Sequence, residues 1–258
     1  MLKFLNRHIW IVILIVSLLL IPQSISSQSE LNGKVLITGI AIDLDEYKNN
    51  YKVTAQVLLP SGEKQGSAVV LNFVSATSNN ISEAIDMISS KIGKTTGLSH
   101  LNFILIGKDV YENKNIMSVM DVFMRDERIS NSISFYCTTE SAESEIKKTK
   151  NFDLSSAIGM ENVFTKKEES MSAIVTPVYK FISDGLSESK AQMVSGLYIE
   201  EVKLNDENSD VLKSDNSSRL KYYNDIYVFK EGKYVVRLMM KMSYWGYFYL
   251  VVEVNREL

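Results

Sequence analysis

Leu36-Ile37-Thr38-Gly39-Ile40-Ala41-Ile42-Asp43 and, after a polar break, Tyr51-Lys52-Val53-Thr54-Ala55-Gln56-Val57-Leu58-Leu59 are the stretches that decide the fold. Val35 to Ile42 is rich in β-branched residues. In the second stretch Val53, Ala55, Val57 and Leu59 alternate with Lys52, Thr54 and Gln56, a period of two that puts one face in a core and leaves the other partly wet. With Asp43 to Asn50 as a polar connection, the pair reads as a β-hairpin. Gly39 falls mid-strand, where a glycine marks a bulge or a close approach of backbone.

Downstream, Pro60-Ser61-Gly62 ends the second strand and Ala68 to Val74 supplies a third apolar run. Asn80 then opens a helix, with Glu83 placed three residues on as in a capping box. Ile81, Ala84, Ile85, Ile88 and Ile92 form its apolar stripe, and Gly93 stops it. Leu101 to Ile106 is almost continuously apolar up to Gly107, which predicts a central strand covered on both faces. A helix over about Asn115 to Met124, a strand over Ile133 to Thr138 and a short charged helix over Ala142 to Lys148 follow. Weaker helical patterns run from Asn151 to about Glu188, then a strand over Val194 to Lys203 and a polar stretch over Leu204 to Leu220. Ile226 to Phe229 and Lys233 to Met240 make a hairpin across Lys230-Glu231-Gly232.

These elements predict an α+β (mixed α/β) fold, mainly antiparallel sheet with packed helices, in two lobes joined by a helical connection. The divisions are 1–26 as a signal peptide or N-terminal membrane anchor, 27–140 as a first lobe, 141–192 as the connection and 193–258 as a small β-rich second lobe.

Residues 1–26 carry Lys3 and Arg7 and no acid, then the apolar run Ile9 to Ile21 and small residues around Ser24 to Ser26. That is the layout of a secretory signal. The 13-residue run falls short of the roughly 20 needed to span a bilayer. Cleavage after Ser26 is one expectation and a retained anchor the other; either way the body lies outside the cytoplasm.

The 258 residues are 45% hydrophobic and 23% charged, ordinary for a globular chain. Subtracting Lys3 and Arg7 from the 28 bases leaves the body 26 against 31 acids, which argues against a phosphate-neutralising nucleic-acid surface and for no nucleic-acid partner. Cys137 is the single cysteine and forms no internal disulfide; in Ser134 to Thr138 it reads as a buried strand thiol. His100 is the one histidine beyond the signal region, so a His/Cys zinc site lacks ligands. Asp43, Asp45 and Glu46 lack the glycine and distal glutamate of a calcium loop. An exported hydrolase would have to use His100 or that acidic cluster, and no enclosing apolar pocket is visible to tune the acids. The residues call for no catalytic group, cofactor or metal. Met239 to Tyr249, with Tyr244, Trp245 and Tyr247, is an aromatic run suited to a core or to a partner contact.

The order of these stretches resembles the Ger(x)C family of spore germination proteins, the C subunits of nutrient germinant receptors. Leu31-Asn32 leading into Leu36 to Asp43 is similar to that family's valine-threonine-glycine-isoleucine-glycine-isoleucine-aspartate segment, and Tyr51 to Val57 to its second strand. His100 to Gly107 resembles its histidine-leucine strand with a terminal glycine. Val122 to Ile129, with Arg125 and Asp126, resembles its helix end, and Ile226 to Lys233 a later hairpin. The resemblance marks Gly39, Asp43, His100, Gly107, Arg125 and Asp126 as family-like structural positions. It implies a non-enzymatic, exported, membrane-associated subunit at the outer face of the cytoplasmic or inner spore membrane. The partners it implies are integral-membrane A and B type receptor subunits; a generic cell-envelope binding module is the alternative. Two departures from the pattern are read here: no lipobox cysteine follows the hydrophobic run, and the family's C-terminal domain has no counterpart before Leu258.

Overall fold

The computed structural model describes residues 34–60, 69–149, 174–198, 225–242 and 248–254. They form two sheets and five helices, an α+β architecture in which most strand pairs are antiparallel.

The deciding hairpin is β1 (Lys34–Leu44) and β2 (Tyr51–Pro60), joined antiparallel with Leu44 opposite Tyr51. β3 (Val69–Ser78) extends it antiparallel along β2. On its other side β1 receives two parallel partners in succession. β4 (Thr95–Gly97) pairs with Lys34 to Leu36, and β5 (Phe103–Ile106) with Gly39 to Ile42. β6 (Ser134–Cys137) continues the parallel series beyond β5. Sequence alternation predicted the antiparallel hairpin. The parallel centre comes from the chain returning through α1 (Ile81–Ile92), which packs on β2 and β3.

Asn80 caps α1 through its side chain to the Ser82 amide, and Gly93 closes it in the left-handed region at φ 68°. The capping box does not form as expected. Glu83 takes the Ser78 hydroxyl instead, and Ser78 Oγ accepts the Asn80 amide at 3.3 Å. Ile81, Ala84, Ile85 and Ile88 are buried, each isoleucine worth about 1.5–3 kcal/mol relative to exposure.

α2 (Lys108–Asn113) and α3 (Ile116–Arg125) follow β5, and α4 (Ala142–Lys148) follows β6. α4 lies across β1, so β5 is buried on both faces. Ala41, Phe103, Leu105 and Tyr136 pack under Ala142 and Ile146 on one face. Ile40, Ile42, Ile104 and Ile106 meet α1 and α3 on the other.

The second sheet runs β10-β9-β8-β7, all antiparallel: β7 (Ala191–Ser195), β8 (Ile226–Lys230), β9 (Lys233–Met242) and β10 (Phe248–Val254). The strand expected over Val194 to Lys203 is thus observed earlier, and Leu204 to Leu220 lies outside the described residues. α5 (Val178–Leu186) packs between α3 and β7. Tyr227, Phe229 and Tyr234 from this sheet join the cluster that holds β1, α1 and α3.

Candidate functional site

The family-like positions gather partly at the carboxyl end of the parallel strands. Asp43 is one residue from the end of β1, and its register partner Lys52 shares its face. It does not belong to the solvated connection, where the sequence reading put it. It is 4% exposed and points under the start of α4. Its Oδ1 accepts the Ala142 amide at 2.7 Å; its Oδ2 accepts the Glu143 amide at 2.7 Å and the Ser141 hydroxyl at 3.0 Å. A carboxylate therefore serves the free amides of a helix start, a task usually left to a cap residue or an anion. Burial pushes the Asp43 carboxyl above its ordinary value; the amide bonds from Glu143 and Ala142 pull it back, and the charge of Asp109 adds to the rise.

Gly107 ends β5 and precedes α2, with its amide donating to Ile42 O at 2.9 Å. A Cβ there would overlap Asp43 Oδ1 and stand 3.0 Å from Asp109 Oδ1. Asp109 Oδ2 accepts the Leu44 amide at 2.8 Å, while its Oδ1 is buried and takes no donor among the described residues. Lys48, Lys108, Asp109, Glu112, Glu140 and Ser141 line an open cleft of about 300 Å³ beside this point. Lys52 bridges to Glu143 at 2.5 Å, which fastens β2 to α4.

Gly39 sits where β1 slips register between Ile37 and Gly39. A Cβ there would come 2.5 Å from the Phe103 ring and 2.9 Å from Gln56 Oε1. His100 is exposed in the turn between β4 and β5, where Asn102 N reaches Thr38 O at 2.9 Å. Thr38 and Asp43 are five residues apart on β1, roughly 16 Å at the rise of a strand, so His100 and Asp43 do not share a site. Asp45 is turned into the loop and accepts the Asn49 amide at 2.9 Å, the Asn50 amide at 3.2 Å and the Asn50 side chain at 2.7 Å; Glu46 is exposed. The three acids thus point apart. Among the described residues, no group of three or more His, Cys, Asp or Glu is placed to hold a metal ion.

Arg125 and Asp126 end α3 but do not pair with each other. Arg125 binds Asp121 at 2.6 Å, and Asp126 accepts Arg128 Nε at 2.8 Å and Nη2 at 2.6 Å. Tyr244, Trp245 and Tyr247 lie outside the described residues. Cys137 is fully buried, and burial raises its thiol well above the ordinary value.

Sequence reasoning missed the outward face of the second sheet. Its register sets Met193, Val228, Val236 and Val254 in one row and Ile226, Leu238 and Val252 in the next. Met193, Val252 and Val254 are 49%, 51% and 60% exposed. The signal was present in the even positions of Lys233 to Met242, where Tyr234, Val236, Leu238, Met240 and Met242 are apolar without a break, and in the apolar run of Phe248 to Val254.

The sequence profile described as the spore germination protein N-terminal domain matches residues 27–197. Spore germination protein B3 of Bacillus subtilis (strain 168) is 34% identical over 96 residues, which is 36% of this chain and 25% of that protein. A solved structure, the crystal structure of the GerBC protein, aligns over 78% of this chain and 51% of its own, with 18% identity and a TM-score of 0.37. The chain thus spans about a quarter of that curated relative and half of that solved chain.

Proposed function

Since the chain belongs to the family of the spore germination protein N-terminal domain, we propose that it acts in spore germination as a non-enzymatic, exported, membrane-associated subunit resembling the C subunit of a nutrient germinant receptor. The observation that carries this reading is the family match over 27–197, which takes in Gly39, Asp43, His100, Gly107, Arg125 and Asp126. The work is done by contact: Asp43 is consumed in holding α4, and His100 stands apart from the acids. The contact surface is the outward face of the second sheet; Tyr244, Trp245 and Tyr247, which follow β9 in the sequence, are the aromatic residues of the type that anchors a partner. Its partners are integral-membrane A and B type receptor subunits. Among the described residues no helix is long and apolar enough to cross a membrane; attachment in this reading is through the N-terminal segment or those partners.

The test is deletion of the gene in a sporulating host, with fractionation of its spores. The expected result is the protein in the inner-membrane fraction and slowed nutrient germination in the deletion strain. A soluble protein with unchanged germination would overturn the reading.

A further inference from the structure

We propose that β10 is a pairing edge and that a second copy of this chain occupies it, β10 against β10 and antiparallel, joining two four-stranded sheets into one.

The other long sheet edges among the described residues each carry a covering contact. Beside β6, Phe135 N donates to Thr176 O at 3.3 Å and Leu197 N to Cys137 O at 2.8 Å. On β7, Thr176 Oγ1 donates to Met193 O at 2.8 Å and Ser195 Oγ accepts the Ile174 amide at 2.9 Å. Lys91 of α1 donates to Ser75 O of β3 at 2.6 Å. β10 differs from all three. It ends its sheet and pairs with β9 in a register that runs without a slip from Phe248 opposite Met242 to Val254 opposite Val236. No further backbone partner reaches it among the described residues. Its sequence, Phe248-Tyr249-Leu250-Val251-Val252-Glu253-Val254, holds no proline, glycine or lysine. Edges are ordinarily blunted by such residues, by a bulge or by cover. With none of these, the backbone donors and acceptors of β10 form a template for another strand.

The strand is complementary to itself. Antiparallel pairing centred on Val251 overlaps all seven residues and sets each against one of its own parity, so both copies turn the same face outward. Val252 then stands opposite Leu250 of the second copy, and Val254 opposite Phe248. The row Ile226, Leu238, Val252 runs on through Leu250 and Met240 of the second copy, apolar at every position. Val252 and Val254, 51% and 60% exposed, change from the rim of an apolar face to its middle.

Charge favours the same occupant. Glu253, the one charged residue of β10, is answered within its own chain by Arg237 at 3.4 Å. This register holds it four positions from its copy, roughly 13 Å along the strand, beyond the screening length of about 8 Å at physiological salt. The pairing surface is the strand edge, whereas contact with receptor subunits was assigned to the sheet face, so the two readings fail separately.

The experiment is sedimentation velocity of the full chain in a mild detergent from nanomolar to tens of micromolar, with amide hydrogen exchange at both extremes. A discrete dimer should form as concentration rises, and residues 248–254 should gain protection while 191–195 do not. Val252→Lys introduces the charge that blunts natural edges and should stay monomeric over the same range. Met193→Lys, on the same outward face but on the far strand β7, should dimerise as the wild type does. A chain that stays monomeric or forms open-ended aggregates overturns the proposal, as does a dimer in which 248–254 gain no protection. Dimerisation retained in folded Val252→Lys, or lost in Met193→Lys, overturns it too. Wild-type exchange decides where Val252→Lys does not fold.

Discussion

Gly107 is fixed by what it touches. Its backbone lies outside the left-handed region, so the demand for glycine is steric: a methyl group would enter the Asp43 carboxylate. Gly107→Ala should cost about 1–3 kcal/mol, as overpacking does, seen as a lower midpoint in denaturant with an unchanged slope. The sequence announced Gly107 as the end of a strand. It could not announce Asp43 as the neighbour, because the donors that bury that carboxylate come from Ser141, 98 residues on, and from the two residues that follow. Read locally, an acid before Leu44-Asp45-Glu46 belongs to a wet loop. Only the arrival of α4 makes it a buried anchor.

Among the elements, α1 was legible almost whole, since its stripe, cap and stop are all local. The parallel run of β4 and β5 along β1 was not, because parallel pairing leaves no turn signal and depends on a distant return of the chain. α3 shows a further non-local dependence. Asn115 Oδ1 accepts the Met117 amide at 2.9 Å as its cap, Asn115 Nδ2 donates to Glu231 O at 2.8 Å, and the Ile116 amide donates to Gly232 O at 2.8 Å. The start of a helix on the first sheet is thus completed by the β8–β9 turn, whose two central residues, Glu231 and Gly232, both have positive φ. Gln192 holds the turn from the other side, accepting the Gly232 amide at 2.8 Å. Asn115→Ala should cost about 1–2 kcal/mol. Hydrogen exchange should rise in α3 and in the β8–β9 hairpin together, although the two are more than a hundred residues apart.

For the whole molecule, composition excluded more than it identified. One body histidine and one buried cysteine leave a His/Cys zinc site short of ligands, and the acids of the deciding hairpin point apart. Family resemblance carried the function that local chemistry could not. The outward apolar face of the second sheet escaped the reading because strand parity becomes meaningful only once β7, β8, β9 and β10 are in register. The aromatic joint between the sheets was equally hidden: Phe181 meets Phe229 edge to face at 5.6 Å, and Tyr111 meets Tyr227 at 5.2 Å and Tyr234 at 4.9 Å. That joint bears on protein engineering. The family match stops at 197, whereas Tyr227, Phe229, Gly232 and Tyr234 stand beyond it and close the same interior. A recombinant fragment cut at the match boundary would take Phe229 from Phe181, both Tyr227 and Tyr234 from Tyr111, and its acceptor from the first turn of α3. Residues 27–197 produced alone should therefore bind a hydrophobic dye and collect in inclusion bodies, while 27–258 stays soluble. The sequence boundary of the family is not a place where this molecule can be divided.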